Sequence, residues 1–175
     1  LPEGDRTKPI TDAEKAIETM RDSSAVWHIN PENVGIMGSS AGGHLASTIA
    51  THSTGKAKPN FQILFYPVIS MRQPLTHQMS HDNFLGQNPS STLEEEYTNY
   101  LQVKQDTPRA FIAFSDDDSG VPPANGAKYY IALHEAGVPA TLHIYGTGEH
   151  GWGFNSTFSY HNEMLADLTA WLNGF

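Results

Sequence analysis

The strongest chemical signal in the sequence is the pentapeptide Gly38-Ser39-Ser40-Ala41-Gly42, which fits the pattern G-x-S-x-G. An apolar run at residues 34–37 stands directly before it, and a stretch of mostly small and apolar residues follows it. Strand, sharp turn and helix form the context that exposes a serine Oγ for nucleophilic attack, so Ser40 is the predicted nucleophile. The backbone N–H of Ala41 would then point to the place where an oxyanion forms. A phosphate-binding loop is the alternative for such a turn, but the lysine of that pattern is missing.

A serine nucleophile needs a general base, and nine histidines compete for that role. His150 lies in a glycine-flanked loop after the last predicted strand, at the sheet edge where Ser40 is expected. His44 is expected to point away from the reaction, since it lies one turn into the helix after Ser40. The other histidines lie in strand or helix patterns or lack flanking glycines: His28, His52, His77, His81, His134, His143 and His161. His150 is therefore the predicted base, and a surface histidine in a turn is the alternative.

The acid that orients the base is expected in the loop after the third predicted strand. Asp116, Asp117 and Asp118 are adjacent there, and only one of them can meet an imidazole, since successive loop residues point in different directions. This reasoning leaves the three open. The alternatives for the run are a solvated acidic turn and a weak calcium loop, but the D-x-[DN]-x-[DN]-G spacing is missing. No metal and no cofactor is predicted.

The elements that would position these residues alternate along the chain. Apolar runs predict buried strands at residues 34–37, 61–68, 110–114 and 141–145. Helical patterns predict helices at residues 11–22, 44–50, 93–101, 123–136 and 159–173, with Gly137 as a stop signal. Strands that alternate with helices imply an α/β fold with a parallel sheet covered on both faces.

Two capping boxes predict where helices begin, and one long connection predicts a wall of the active site. Thr11 with Glu14, and Ser91 with Glu94, have the spacing that caps a helix N-terminus. Residues 70–106 are polar and irregular, and they start at the edge of the sheet where Ser40 is expected. Because connections at that edge form the crevice of an open parallel sheet, this segment is expected to wall the active site.

Length and composition limit the classes of protein to which the chain can belong. The chain has 175 residues, a size typical of one domain, and we treat residues 1–175 as a single domain. Its net charge of −9 argues against a nucleic-acid partner. No run approaches the 18 apolar residues of a membrane span, and the absence of cysteine excludes disulfides and thiol nucleophiles.

The chain resembles the α/β-hydrolase superfamily, and within it the bacterial acetyl-xylan esterase and lipase/esterase group. The resemblance is carried in order by NPENVGIMGSSAGGHLA (residues 30–46), HDNFLG (81–86), DDSGVP (117–122), AGVP (136–139) and GEHGWG (148–153). Family members carry the acid four residues before the proline of a D-x-x-V-P pattern. The resemblance therefore implies Asp118 as the acid and a triad of Ser40, Asp118 and His150. Glu149 departs from the glycine that relatives usually carry beside the base.

The resemblance also implies that part of the fold lies upstream. Relatives have an eight-stranded sheet and a His-Gly-Gly-type oxyanion loop, and residues 1–4 resemble the segment just after their fourth strand. The chain is thus expected to hold strands five to eight and to lack the N-terminal strands and that loop. An open edge at the strand of residues 34–37 would favour homo-oligomers or aggregation, and the isolated chain is expected to be a poor esterase.

The implied activity is hydrolysis of small acyl esters, acetyl above all, on carbohydrate such as acetylated xylan. Ser39, Phe84, Trp152 and Phe154 are candidate substrate contacts, with Tyr66 as a further aromatic; packing is the alternative for the aromatic ones. The predicted partner is a small-molecule or oligosaccharide ester, and export from the cell is expected from the resemblance alone. Two alternatives stay open: a peptidase of the prolyl-oligopeptidase type, and a non-catalytic fragment with a binding role.

Overall fold

A computed structural model describes residues 5–174 and contains a four-stranded sheet in the order β1-β2-β3-β4. The strands are β1 (Gly35–Ser39), β2 (Phe61–Phe65), β3 (Arg109–Ser115) and β4 (Ala140–Tyr145). All three neighbouring pairs are parallel, with Gly35 opposite Phe61, Phe61 opposite Arg109 and Ala110 opposite Ala140. The C-terminal ends of all four strands therefore lie at one edge of the sheet, as predicted.

Helices fill the crossovers between these strands. They are α1 (Thr7–Asp22), α2 (Ser24–Trp27), α3 (Ala41–His52), α4 (Gln78–Leu85), α5 (Ser91–Glu96), α6 (Ala124–Glu135) and α7 (His161–Leu172). Single 3₁₀ turns lie at Gly55–Ala57 and Asn99–Leu101. Gly137, with φ of 75°, ends α6 as predicted, because an L side chain is strained in that left-handed conformation.

Strand β3 lies at the centre of the core and is covered on both faces. Residues 110–114 are fully buried. Ile112 and Phe114 point towards Gly126 of α6, where an added Cβ would lie 2.4 Å from the Phe114 ring. Phe111 precedes Ile112 and points to the other face of the strand, where it packs against Trp171 of α7 with 5.8 Å between ring centroids. Because neighbouring strand residues face opposite sides, α6 and α7 cover opposite faces, which confirms the predicted α/β architecture.

The capping predictions were wrong in detail. Helix α1 begins at Thr7, so Thr11 lies inside it, and no side chain caps its N-terminus at Arg6. Pro9 is compatible with that earlier start, because the first turn of a helix needs no N–H partner. In α5 the cap is Ser90 instead of Ser91, and its side chain accepts from the Leu93 N–H at 3.2 Å.

The long connection between β2 and β3 is more regular than its composition indicated. It contains α4, which was not predicted, and a shorter α5 than predicted, followed by the 3₁₀ turn at Asn99–Leu101. Buried Asn99 ties it to α3, since its Nδ2 lies 2.7 Å from Ser47 Oγ and 3.0 Å from Thr48 Oγ1. Asn125 of α6 fixes the start of the segment by accepting from the Ile69 and Ser70 backbone N–H groups.

Strand β1 is an edge of the sheet within residues 5–174 and pairs there only with β2. The Met37 side chain on it is 56% exposed, and an apolar cleft of about 350 Å³ runs between β1, α1 and α3. Association through this edge stays a prediction. Residues 1–4, which carry part of the resemblance, lie outside the described residues. In the part of the chain that is described, no helix combines the length and apolar character that crossing a membrane demands.

Candidate active site

Ser40 stands in the sharp turn between β1 and α3. Its backbone angles are φ 54° and ψ −122°, a conformation that costs on the order of 1–3 kcal/mol for a residue with a side chain. Neighbouring backbone groups hold the turn: the Ser40 N–H donates to Phe65 O at 3.0 Å, and the Val68 N–H donates to Ser40 O at 3.1 Å. The sharp turn predicted at Ser40 is therefore present, and backbone groups of β2 and of the residues after it fix it from the side.

The glycines of the pentapeptide differ in what they permit. A Cβ on Gly38 would lie 2.1 Å from the backbone oxygen of Gly42, so only glycine fits where strand and helix approach each other. A Cβ on Gly42 would meet nothing within 4 Å. The pattern G-x-S-x-G thus contains one glycine required by close approach and one that the geometry of this turn does not require.

Three predicted residues meet at the edge of the sheet where the strands end. His150 Nε2 lies 2.8 Å from Ser40 Oγ, and His150 Nδ1 lies 2.7 Å from Asp118 Oδ2. Because the carboxylate accepts, the hydrogen-bond network assigns the ring proton to Nδ1 and leaves Nε2 to accept from the Ser40 hydroxyl. This arrangement allows a proton to move from Ser40 to His150 while Asp118 stabilises the imidazolium.

The structure distinguishes the three adjacent aspartates. Asp118 contacts His150 and is 5% exposed, and its Oδ1 accepts from the backbone N–H groups of Gly120 and Val121 at 2.9 and 2.8 Å. The side chain of Asp117 instead reaches the backbone of the loop before His150. Asp116 is exposed. The position that the D-x-x-V-P register gives for the acid is the position that faces the imidazole.

Tyr66 is a neighbour of His150 that sequence reasoning gave only as a possible sugar contact. Its ring packs edge-on against the imidazole with 4.6 Å between centroids, and its φ of 36° places it in the strained left-handed region directly after β2. Burial raises the pKa of its phenol, opposed by hydrogen bonds from the Gly153 backbone and the Ser39 side chain. The strand predicted at residues 61–68 included Tyr66, whereas β2 ends at Phe65, so no sequence signal indicated this contact with His150.

Ala41 is the first residue of α3, so its N–H lies among those that find no acceptor within the helix. That N–H is adjacent to Ser40, and the positive end of the helix dipole reinforces it. Such an N–H is the kind of donor that stabilises an oxyanion on a carbonyl attacked by a neighbouring serine. The role of Ala41 as oxyanion donor stays a prediction.

Most of the predicted substrate contacts take part in packing. Trp152 is 5% exposed and stacks on Phe158 at 4.2 Å, and Phe84 is 8% exposed. Ser39 is exposed, and its side chain is bonded to Tyr66. Phe154 is half-exposed and packs edge-on against Phe65 at 5.2 Å. Packing accounts for what these aromatic residues contact in the structure, and their role as substrate contacts stays a prediction.

A largely apolar cavity of about 410 Å³ opens beside Ser40. Its wall comes from α3 on one side and from residues 71–84 on the other, with Met71, His77 and Phe84 among the lining residues. The long connection after β2 thus borders Ser40, in agreement with the expectation from its place in the sheet. A larger cavity of about 580 Å³ lies at the opposite edge, beside Asn60 and Pro108, and is remote from these residues.

Buried His44 belongs to this cavity wall and not to the reacting groups. Its Nε2 lies 2.8 Å from the backbone oxygen of Tyr97, and it is 2% exposed. Desolvation by burial lowers its pKa to about 4, so the ring is neutral at pH 7 and donates to that carbonyl. Within residues 5–174, no group of three or more potential metal-binding side chains comes together.

Comparison with known proteins gives the family. The chain belongs to the alpha/beta hydrolase fold family, whose model matches residues 2–154. An acetylxylan esterase of Xylanibacter ruminicola is 48% identical over 98% of this chain. The crystal structure of an acetyl ester-xyloside bifunctional hydrolase from Caldicellulosiruptor lactoaceticus superimposes with a TM-score of 0.88 at 34% identity, over 94% of this chain. An endo-1,4-beta-xylanase B of Butyrivibrio fibrisolvens is 32% identical over 82% of it.

These relatives are longer proteins. The chain covers 37% of the Xylanibacter ruminicola esterase and 24% of the Butyrivibrio fibrisolvens xylanase. It covers 64% of the Caldicellulosiruptor lactoaceticus hydrolase. Fold and family therefore apply to this chain directly, whereas activity and substrate are matters for proposal.

Proposed function

We propose that this chain carries the catalytic triad of a serine esterase that removes small acyl groups, acetyl above all, from carbohydrate esters. The observation that carries the proposal is the continuous hydrogen-bonded row from Ser40 Oγ through His150 to the Asp118 carboxylate, with distances of 2.8 and 2.7 Å. A nucleophile, a base and an orienting acid in that order are what acyl transfer to serine requires.

In the first half of the reaction, Ser40 Oγ attacks the ester carbonyl carbon and its proton passes to His150 Nε2. The carbonyl oxygen becomes an oxyanion beside the Ala41 N–H, and Asp118 stabilises the imidazolium. When the tetrahedral intermediate collapses, the bond to the alkoxy oxygen breaks and His150 returns the proton to that oxygen. The products are the free alcohol of the sugar and an acyl group bound to Ser40.

In the second half, His150 takes a proton from water, and the resulting hydroxide attacks the acyl carbonyl. The proton then returns to Ser40 Oγ as the carboxylic acid leaves. Because the proton is back on Ser40 Oγ and the acyl group has left, the enzyme has returned to its starting state. No cofactor enters this balance of atoms.

The substrate class is supported by the relatives. One relative is an acetylxylan esterase at 48% identity, and another is an acetyl ester-xyloside bifunctional hydrolase at 34% identity. The cavity beside Ser40 supports this choice, because α3 and residues 71–84 form an apolar wall against which a small acyl group would bind. We therefore propose acetylated xylan or its fragments as the substrate.

The test is hydrolysis of p-nitrophenyl acetate and release of acetate from acetylated xylan. In whichever form of the protein is active, Ser40→Ala is expected to lower kcat by a factor on the order of 10⁶, as removal of a triad serine does. Ser91→Ala is the matched control, because it removes an exposed serine hydroxyl on α5 that touches neither the triad nor the cavity beside Ser40. A fluorophosphonate probe should label Ser40 by mass spectrometry. Full activity in Ser40→Ala, or labelling at another residue, would refute the assignment.

A further inference from the structure

The loop that holds His150 needs support from outside its own backbone. Gly148, Glu149, Gly151 and Gly153 all have left-handed or otherwise positive φ angles, of 147°, 51°, 91° and 44°. Glycine adopts such angles without strain but leaves the chain flexible, whereas a glutamate with this φ is strained. No helix or strand covers residues 146–160. The position of the imidazole therefore depends on contacts that this loop makes with its neighbours.

Asp117 supplies such contacts. Its Oδ2 accepts from the Thr147 hydroxyl at 2.6 Å and from the Gly148 N–H at 3.2 Å, and its Oδ1 accepts from the Glu149 N–H at 2.8 Å. One carboxylate thus binds three successive residues that lead directly to His150. The hydrogen bond from Thr147 and those from the loop backbone lower the pKa of Asp117, so it is ionised at neutral pH.

The acid loop itself is anchored firmly enough to serve as a support. The Asp116 N–H donates to Tyr145 O at 2.7 Å, which ties the end of β3 to the end of β4. Asp118 is buried and bonded to the Gly120 and Val121 N–H groups. Asp117 lies between these two fixed residues, so its carboxylate has a defined position relative to the acid of the triad.

We propose that Asp117 is the positioning residue of the base: it holds the backbone of residues 147–149 so that the His150 ring reaches both Ser40 and Asp118. The two adjacent carboxylates then have different roles. Asp118 binds the imidazole, and Asp117 binds the chain that carries the imidazole. This inference rests on the proposed function for its kinetic consequence, and on geometry alone for its structural consequence.

The position of Glu149 strengthens the argument. A glutamate in the left-handed region is disfavoured relative to glycine, and its N–H forms a charge-assisted bond with Asp117. The bond offsets part of that strain and fixes the residue before His150. Glu149→Gly relieves the strain, so it is expected to reduce the cost of losing the Asp117 carboxylate.

The experiment compares Asp117→Ala with Asp116→Ala. Both remove one exposed negative charge from the same loop, and only the first removes the bonds to residues 147–149. Asp117→Ala is expected to lower kcat for p-nitrophenyl acetate roughly 10- to 100-fold with little change in KM, since displacement of a catalytic group by about 1 Å costs about 10². Asp117→Asn keeps one accepting oxygen and should fall between wild type and Asp117→Ala. Asp116→Ala should behave as wild type.

A second measurement does not depend on activity. The proton shared by His150 Nδ1 and Asp118 is expected to give a far-downfield NMR signal, which reports on the geometry of that bond. The signal should broaden or vanish in Asp117→Ala and persist in Asp116→Ala at temperatures where circular dichroism shows both variants folded. If wild type lacks esterase activity yet the signal responds in this way, the proposed function fails and the positioning role stands. Equal responses of the two variants, or none in either, would overturn the positioning role.

Discussion

The two sides of the candidate site rest on strands of opposite character. Ser40 follows β1, an edge strand in the described residues, on which Met37 is 56% exposed. Asp118 follows β3, in which residues 110–114 are fully buried between α6 and α7. The acid thus takes its position from the core. The proposed nucleophile takes its position from the turn between the edge strand β1 and the buried helix α3.

The two residues are therefore held in position in two different ways. A loop after a buried strand inherits the rigidity of close packing, because side chains in the core have few alternatives. A turn after an edge strand must be fixed locally, here by the approach of Gly38 to Gly42 and by the bond from Ser40 N–H to Phe65 O. Mutations on the β3 side should therefore act through stability. Those in the turn after β1 should act through activity.

The largest expected effect is on stability, at β3. Phe111→Ala removes a fully buried ring that packs against Trp171 and His143, and it should lower the free energy of unfolding by about 3–5 kcal/mol. Met37→Ala on β1 should change it by less than about 0.5 kcal/mol, because that side chain is largely exposed. Urea unfolding followed by circular dichroism measures both.

A milder variant keeps this comparison measurable if Phe111→Ala does not fold. Phe111→Leu retains most of the apolar volume and should lose less than Phe111→Ala. Equal losses at Phe111 and Met37 would mean that β1 and β3 do not differ in the way their exposure indicates.

The second effect concerns His44, which is buried in α3 next to the nucleophile. Its pKa in the folded chain is about 4 and that of a free histidine is 6.5, so between these values only the unfolded chain binds the proton. Stability is therefore complete above about pH 6.5 and falls as pH drops towards 4, by roughly 3 kcal/mol at 1.36 kcal/mol per pH unit. Urea unfolding at pH 7.0 and pH 4.5 should reveal this loss.

The matched variants for this pH effect are His44→Gln and His134→Gln. His44→Gln should flatten the pH dependence, because a glutamine side chain does not titrate. His134 is exposed on α6, so its replacement should leave the dependence as in wild type. If His44→Gln retained the full wild-type dependence, other groups would account for the acid sensitivity.

The parallel sheet, Ser40 and His150 could be predicted because each leaves a local signal, whereas the choice of Asp118 among three adjacent aspartates came from the family resemblance. Apolar runs indicate β2 and β3, and the glycines around Ser40 and His150 indicate turns at strand ends. The N-caps of α1 and α5 were misplaced, since several residues near a helix start can serve and packing decides among them. The contacts of Asp117 with residues 147–149 and of Tyr66 with His150 could not be predicted. They depend on which side of a loop each side chain takes, and that is fixed by contacts between segments far apart in sequence.

The smallest expected effect tests the turn after β1 directly, by placing one methyl group at either of its two glycines. Gly38→Ala would bring a Cβ to 2.1 Å from the Gly42 backbone oxygen, so the strand and the helix must separate and Ser40 must shift. A shift of about 1 Å should lower kcat by about 10². Gly42→Ala adds the same methyl group to open space, and it should therefore retain the kcat of wild type within a few-fold. Ester hydrolysis by both variants, compared at equal folded fraction from circular dichroism, decides the matter. If the two variants lost activity equally, the close approach of Gly38 to Gly42 would not be what positions the nucleophile.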